Sequence, residues 1–221
     1  STPTITAGSS TVFCMGDSVT LSSSAGTSYL WSTSATTQSI NVTTAGSYTV
    51  QVTNAGGCQS ASSVATIVTV NPLPAVPTVT AGGPTTFCTG GSVTLTSGSG
   101  ISYLWSNGAT TESINVIAAG SYSVQVTNGN GCQSTASSPT VVTVNVLPST
   151  PTITAGGPVD FCIGGSVTLT SSSGTSYLWS TGATTSSINV TTANSYTVQV
   201  TNANGCQSAA SPATVVMVYS T

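Results

Sequence analysis

The sequence contains no lysine, arginine or histidine, and its only formal charges are the carboxylates of Asp17, Glu112 and Asp160. An average soluble domain has about 25% charged residues, whereas this chain has 1%. Its surface must therefore be solvated by the hydroxyls and amides of Ser, Thr, Asn and Gln. Because nucleic-acid binding depends on Lys and Arg that neutralise phosphates, the composition argues against nucleic acid as a partner.

Long hydrophobic runs are absent as well. No apolar segment approaches the roughly 18 residues that indicate a membrane span, and a chain without cations has no electrostatic attraction to anionic lipid. We therefore expect no membrane insertion. The hydrophobic residues, 38% of the chain, fall in short alternating runs, which predicts a folded rather than a disordered protein.

The dominant positive feature is a repeat of 74 residues. Its landmarks are Cys14, Cys88 and Cys162, then Trp31, Trp105 and Trp179, then Tyr48, Tyr122 and Tyr196, and then Cys58, Cys132 and Cys206. Three such repeats account for essentially all of the 221 residues, so we predict three domains at 1–74, 75–148 and 149–221. No separate segment is left in which a distinct active site would lie.

The ionisable residues do not form a catalytic or metal-binding pattern. Asp17, Glu112 and Asp160 occupy three different positions of the repeat, so no acidic pair or calcium cage recurs. Without His or Lys, a serine nucleophile lacks its ordinary base, and two cysteines per repeat without His do not complete a zinc site. We predict no enzyme activity, no cofactor and no metal.

Within each repeat, short alternating runs predict β-strands. In the third copy, residues 166–170 place Val167 and Leu169 on one face, and residues 196–201 show the cleanest alternation. Asn and Gly at 202–205 suit a tight turn. No segment shows a sustained helical period, and strands about ten residues apart predict an antiparallel β-sandwich.

Proline marks the joins between repeats. Residues 72–77 contain three prolines and residues 147–151 contain two, and the locked φ of proline favours extended, stiff connections. We therefore expect the three modules to be arranged as a rod.

Several segments resemble the tandem Ig-like and PKD-like modules of large secreted Bacteroidota surface proteins. These segments are Cys14 to Leu21, Tyr29 to Ser32, Gly46 with Tyr48, Gly57 with Cys58, and Ser187 to Val198. The resemblance implies immunoglobulin-like sandwiches, and it places Trp31, Trp105 and Trp179 in the core as packing residues rather than as sugar-stacking platforms. It likewise implies a structural role for Tyr48, Tyr122 and Tyr196, with their hydroxyls bonded to nearby backbone.

The cysteines depart from the antibody pattern, because Cys58 follows Tyr48 by ten residues rather than two. About eight residues separate Trp31 from Ile40, too few for a full extra strand. If that strand is absent, we expect Cys14 and Cys58 at one end of the module, bridged within it. If it persists, they lie roughly 20 Å apart, and Cys14 would pair with Cys132 and Cys88 with Cys206, leaving Cys58 and Cys162 for adjacent units. We favour the within-repeat pairing as the simpler arrangement.

Repetition, paired cysteines and the lack of chemistry lead to a functional hypothesis. Six cysteines at fixed spacing in a Ser/Thr-rich chain indicate an oxidising, extracellular location. We predict a structural or adhesive rod of a cell-surface adhesin or extracellular filament. Because the edge strands lack Lys and repulsion is weak, we expect self-association into fibres or arrays. The alternatives are a module that binds a neutral polysaccharide or ice, and a passive spacer in a secreted enzyme.

Overall fold

The computed structural model describes residues 1–220, and in that range the chain is all-β without a helix. The first repeat forms β1 (Ile5–Ala7), β2 (Val12–Cys14), β3 (Val19–Ser23), β4 (Ser28–Trp31), β5 (Ser39–Val42), β6 (Gly46–Tyr48), β7 (Val50–Thr53) and β8 (Thr66–Asn71). The second forms β9 (Val79–Ala81), β10 (Thr86–Cys88), β11 (Val93–Ser97), β12 (Ser102–Trp105), β13 (Ser113–Val116), β14 (Gly120–Tyr122), β15 (Val124–Thr127) and β16 (Thr140–Asn145). The third forms β17 (Ile153–Ala155), β18 (Asp160–Cys162), β19 (Val167–Ser171), β20 (Ser176–Trp179), β21 (Ser187–Val190), β22 (Asn194–Tyr196), β23 (Val198–Thr201) and β24 (Thr214–Tyr219).

The strands of a repeat form two layers. In the first repeat one layer has the order β1-β3-β5, with antiparallel neighbours. In the other layer β8 lies between β2 and β6, and β7 pairs with β4. The β2–β8 pair is parallel, whereas the other pairs of this repeat are antiparallel. The prediction of three tandem, all-β sandwich modules is confirmed.

The strand predicted over residues 196–201 is divided at Thr197. β22 ends at Tyr196 and pairs with β24, while β23 begins at Val198 and pairs with β20. Between them, the Ser180 N–H donates to the Thr197 carbonyl at 2.8 Å, and the Ser180 hydroxyl accepts from the Thr197 N–H at 3.2 Å. The chain therefore changes its partner strand at Thr197, which periodicity does not reveal.

The core of each outer repeat lies between its two layers. In the first repeat β3 buries Val19 and Leu21, as its alternation predicts, and these side chains pack with Trp31 from the other layer. The third repeat has the same core, composed of Val167, Leu169, Trp179, Val190, Tyr196, Val198 and Val216. The hydrophobic alternation of each copy therefore produces the same packing.

The chain divides into two compact units. One consists of Ser1–Thr80, Thr96–Ile114 and Tyr122–Thr140. The other consists of Ala81–Leu95, Asn115–Ser121 and the described chain from Val141 onward. The second repeat contributes to both units. The domain bounds at 1–74, 75–148 and 149–221 and the rod-like arrangement stay predictions.

Candidate functional site at the ends of the repeats

The first half of the site is the end of a repeat, where β2 and β8 finish side by side. Cys14 is the register partner of Asn71, and the Met15 N–H donates to the Asn71 carbonyl at 2.9 Å. In the third repeat Cys162 is the partner of Tyr219 in the same way. Because the two strands are parallel, they finish at the same end of the repeat. The cysteine therefore lies beside the last residue of the last strand, where the chain leaves the repeat.

The second half is a turn that ends at the other cysteine of the repeat. In the second copy, the Asn128 side-chain oxygen accepts hydrogen bonds from the N–H groups of Asn130 and Cys132, both at 3.0 Å. Gly131 between them has a φ of 76°, a conformation that glycine adopts without steric cost. The same turn leads to Cys58 and to Cys206. The pattern Asn-x-x-Gly-Cys therefore positions this cysteine.

Two disulfides join neighbouring repeats. We call the end of a module from which the chain leaves it the end of the repeat, and the opposite end, at which the chain enters, its beginning; each disulfide joins the end of one repeat to the beginning of the next. Cys14 is bonded to Cys132 and Cys88 to Cys206, with Cα–Cα distances of 5.6 and 5.7 Å. Each bond spans 118 residues, one repeat of 74 plus the 44 residues that separate Cys14 from Cys58. The within-repeat pairing favoured by the sequence is therefore corrected, and the interdomain alternative is the one found.

The correction has a topological cause. β3 runs back from the end at which Cys14 lies, and β4 begins where β3 ends. The last residue of β7, Thr53, is paired with Ser28 at the start of β4, so the following turn places Cys58 at the opposite end of the module. A five-residue strand such as β3 spans roughly 17 Å, well beyond the 4.4–6.8 Å Cα separation typical of a disulfide.

The connection between β4 and β5 differs from the expectation based on the sequence. No strand forms over residues 32–38, as expected. However, β5 pairs antiparallel with β3, because this register places Ile40 and Val42 in the core. β5 therefore runs in the same direction as β4, and residues 32–38 return along the module as irregular chain. The absence of a strand did not bring the two cysteines to the same end.

An asparagine amide reinforces each disulfide. The Asn128 Nδ2 donates to the Pro72 carbonyl at 3.0 Å, and the Asn202 Nδ2 donates to the Val146 carbonyl at the same distance. One side chain thus shapes the turn with its oxygen and holds the preceding repeat with its nitrogen. The sequence predicted a turn at Asn202 but not the contact of its amide with the preceding repeat, although Asn recurs four positions before each of these cysteines.

The beginning of a repeat is buried only where another repeat precedes it. Cys132 and Cys206 are 0% exposed, and Ser134 and Ser208 are buried beside them. In the first repeat Cys58 is exposed and Ser60 is half-buried. The difference comes from the neighbouring repeat, because the turn itself is the same.

Two cysteines have no disulfide partner. Cys58 lies at the beginning of the first repeat and Cys162 at the end of the third, and both are exposed. They occupy the two repeat positions that are bonded to each other elsewhere in the chain.

The predicted aromatic core residues are the tryptophan and the tyrosine that recur in each repeat. Trp31, Trp105 and Trp179 are each 2% exposed, and their indole N–H groups donate to the carbonyls of Thr37, Thr111 and Thr185. These rings therefore present no face to a sugar. The Tyr48 and Tyr196 hydroxyls donate to the carbonyls of Thr44 and Thr192, each at 2.9 Å, whereas Tyr122 is half-buried.

The three carboxylates, Asp17, Glu112 and Asp160, are all exposed. Among residues 1–220, no three His, Cys, Asp or Glu side chains are grouped so as to hold a metal ion. The same range contains no helix long and apolar enough to cross a membrane.

Solved structures, rather than family models, provide the matches to this chain. No family model matches the chain, and no curated protein matches it. Among solved structures, the chain is similar to one described as a Ca²⁺-stabilised adhesin that helps an Antarctic bacterium reach out and bind ice. The similarity covers 100% of this chain and 74% of the other, with a TM-score of 0.44 and 17% sequence identity.

Proposed function

We propose that this chain is a structural stretch of an extracellular adhesin or filament that resists extension, and that it is not an enzyme. The observation that carries the proposal is the position of the disulfides, which join consecutive repeats instead of closing each repeat on itself. Disulfides persist in oxidising compartments, which supports an extracellular location. Bonds between repeats hold neighbouring modules together even when a module unfolds.

The mechanical consequence is a limit on extension. The shortest covalent path runs from residue 1 to Cys14, from Cys132 back to Cys88, and from Cys206 to the C-terminus. That path contains 75 residues, and it reaches about 260 Å at roughly 3.5 Å per residue, whereas the reduced chain of 221 residues reaches about 770 Å. The disulfides therefore reduce the maximum extended length of the chain by about two thirds.

Self-association is part of the proposal. In the first repeat no strand has a charged side chain, so the strands at the sheet edges have none. Charged residues, especially Lys, are what natural sheets use to discourage edge pairing. The neutral-glycan, ice-binding and spacer alternatives stay predictions, to be tested on a glycan array, by thermal hysteresis and by the sequence of the whole gene.

Location and mechanics test the proposal together. Immunogold labelling of intact source cells should find the chain outside the cell, on extracellular material. Pulling single molecules by their termini should extend the oxidised chain to at most about 260 Å and the reduced chain to at most about 770 Å. Label confined to the cytoplasm, or equal extension before and after reduction, would overturn the proposed function.

A further inference from the structure

The two unpaired cysteines are complementary rather than equivalent. Cys162 has the repeat position of Cys14 and Cys88, at the end of a module, and Cys58 has the position of Cys132 and Cys206, at the beginning. Those two positions form both disulfides of the structure. We propose that Cys162 of one chain forms a disulfide with Cys58 of a second copy, so that chains are linked covalently, end to beginning. This inference rests on the proposed extracellular function, because the bond needs an oxidising environment.

The beginning of the first repeat has the full set of docking groups. The Asn54 oxygen accepts from the N–H groups of Gly56 and Cys58, both at 3.0 Å, so the turn is already formed. Its amide nitrogen has no hydrogen-bond partner among residues 1–220. The equivalent nitrogens of Asn128 and Asn202 each donate to a carbonyl of the preceding repeat. Asn54 is therefore prepared to donate to a module that precedes it.

The end of the third repeat has the matching acceptor side. Cys162 lies beside Tyr219, whose carbonyl accepts the Ile163 N–H at 3.0 Å. This is the arrangement of Cys14 with Asn71, whose carbonyl lies 4.0 Å from the Cys132 sulfur. By the same repeat positions, the carbonyl of Ser220 corresponds to that of Pro72, the acceptor of the Asn128 amide. The end of the third repeat of one copy therefore provides the cysteine and the carbonyl acceptors that would bind Cys58 and the Asn54 amide of another copy.

The exposure of side chains at the beginning of the first repeat also favours a second copy as the partner. Val126 and Val200 are each 2% exposed, whereas Val52 at the same position is half-buried. Cys58 is likewise exposed where Cys132 and Cys206 are fully buried. A second copy of this chain would cover the beginning of its first repeat as the internal joints cover the other two. Because the two surfaces differ, the contact is heterologous, and it continues from copy to copy.

The chemistry is thiol–disulfide exchange with a small disulfide such as oxidised glutathione. The Cys162 thiolate attacks the small disulfide, forms a mixed disulfide and releases one thiolate. The Cys58 thiolate of the second copy then attacks the Cys162 sulfur and expels the other. One protein S–S bond forms, the small disulfide gains two electrons, and the two protons pass to the released thiols.

The first test uses the 221-residue chain with its internal bonds intact, incubated in a glutathione redox buffer. We expect a ladder at multiples of 21.6 kDa on a non-reducing gel, which collapses to one band on reduction. Cys58→Ser and Cys162→Ser should each stay monomeric, and their mixture should give a dimer and nothing larger. Because the chain lacks Lys and Arg, chymotrypsin rather than trypsin would release the peptide that links Cys162 to Cys58.

A second test examines docking rather than the thiols. Asn54→Asp keeps the oxygen that forms the turn and removes the amide donor, so we expect dimer formation to slow about fivefold, as for one lost hydrogen bond. Asn41→Asp is the matched control, because it adds the same charge at an exposed residue of β5. It should leave the rate within about a factor of 1.5.

Several results would overturn the proposal. They are an absence of multimers in the redox buffer, bonds that link Cys58 to Cys58 or Cys162 to Cys162, a bond from Cys58 to Cys162 within one chain, and equal rates for Asn54→Asp and Asn41→Asp. In material extracted from the source, Cys58 bonded to any peptide other than that of Cys162 would also overturn it. None of these results affects the immunogold and extension measurements, so the failure of this joint is distinguishable from the failure of the proposed function.

Discussion

The first and third repeats have the same strands and the same core, but they differ at their beginnings. In the third repeat Val200, Cys206 and Ser208 are buried, whereas Val52, Cys58 and Ser60 of the first repeat are half-buried or exposed. The turn before the cysteine is the same in both. The comparison shows that each module has a preformed docking end, and that a preceding module, not the local sequence, completes its burial.

The largest effect should come from the disulfide itself. Replacing Cys88 and Cys206 together by Ser removes a bond that closes a 118-residue separation, and chain entropy predicts a loss of about 5 kcal/mol in the free energy of unfolding. Replacing Cys58 and Cys162 together makes the same chemical change without breaking a bond. Urea denaturation of the monomeric variants should show a change below about 0.5 kcal/mol for this control. Equal losses in both variants would contradict the connectivity.

A smaller effect is expected from the valine at the docking end. Val200 is 2% exposed, so Val200→Ala should lower the stability of the third repeat by about 2 kcal/mol, through lost burial and an unfilled cavity. Val52→Ala should lower the stability of the first repeat by about 1 kcal/mol, because Val52 is already partly solvated. Hydrogen exchange of the β23 and β7 amides measures the two repeats separately. A larger loss of stability for Val52→Ala than for Val200→Ala would contradict the difference in burial between the two repeats.

The asparagine amide should have an effect of about 1 kcal/mol. Asn202→Asp keeps the turn and replaces the donor to the Val146 carbonyl by a carboxylate oxygen, so the joint loses one hydrogen bond. Asn54→Asp in the monomer is the control, since its nitrogen donates to no group of residues 1–220. The shift in thermal midpoint of the two variants checks this prediction, and a larger shift for the Asn54 variant would argue against a role of the amide in the joint.

The smallest effect concerns the turn after β4 in the two repeats. Ser34 has a φ of 68°, where the third repeat has Gly182 with a φ of 84°. Because a side chain is disfavoured in this left-handed region, Ser34→Gly should stabilise the first repeat by up to about 1 kcal/mol. Gly182→Ser should destabilise the third by a similar amount. Hydrogen exchange of the β4 and β20 amides checks both, and effects of the same sign would refute the explanation.

Much of the fold could be predicted because it depends on local pattern. The alternation of Val19 with Leu21 predicts a half-buried strand wherever the partner strand lies, and Gly131 after Asn128 predicts a turn. The division of the strand at Thr197 could not be predicted, because it depends on which strands the two halves pair with.

The candidate site was predicted only in its components. Six cysteines at two repeat positions were evident, and both pairings were considered, but the choice depended on the direction of β5. The count of strands assumed that residues 32–38 simply reverse the direction of the chain between β4 and β5. The antiparallel pairing of β5 with β3 instead requires these residues to run back along the module. The role of the Asn128 amide also requires knowledge of which carbonyl approaches it.

By itself, the sequence determined an all-β chain of three equivalent modules, a nearly uncharged surface and two cysteines per module, because composition, period and alternation are local properties. Only the tertiary structure decided that Cys14 and Cys58 lie at opposite ends of a module. That separation follows from strand direction, which is set by long-range pairing and core burial. It is why the disulfides join one repeat to the next, and why Cys58 and Cys162 have no partner within residues 1–220.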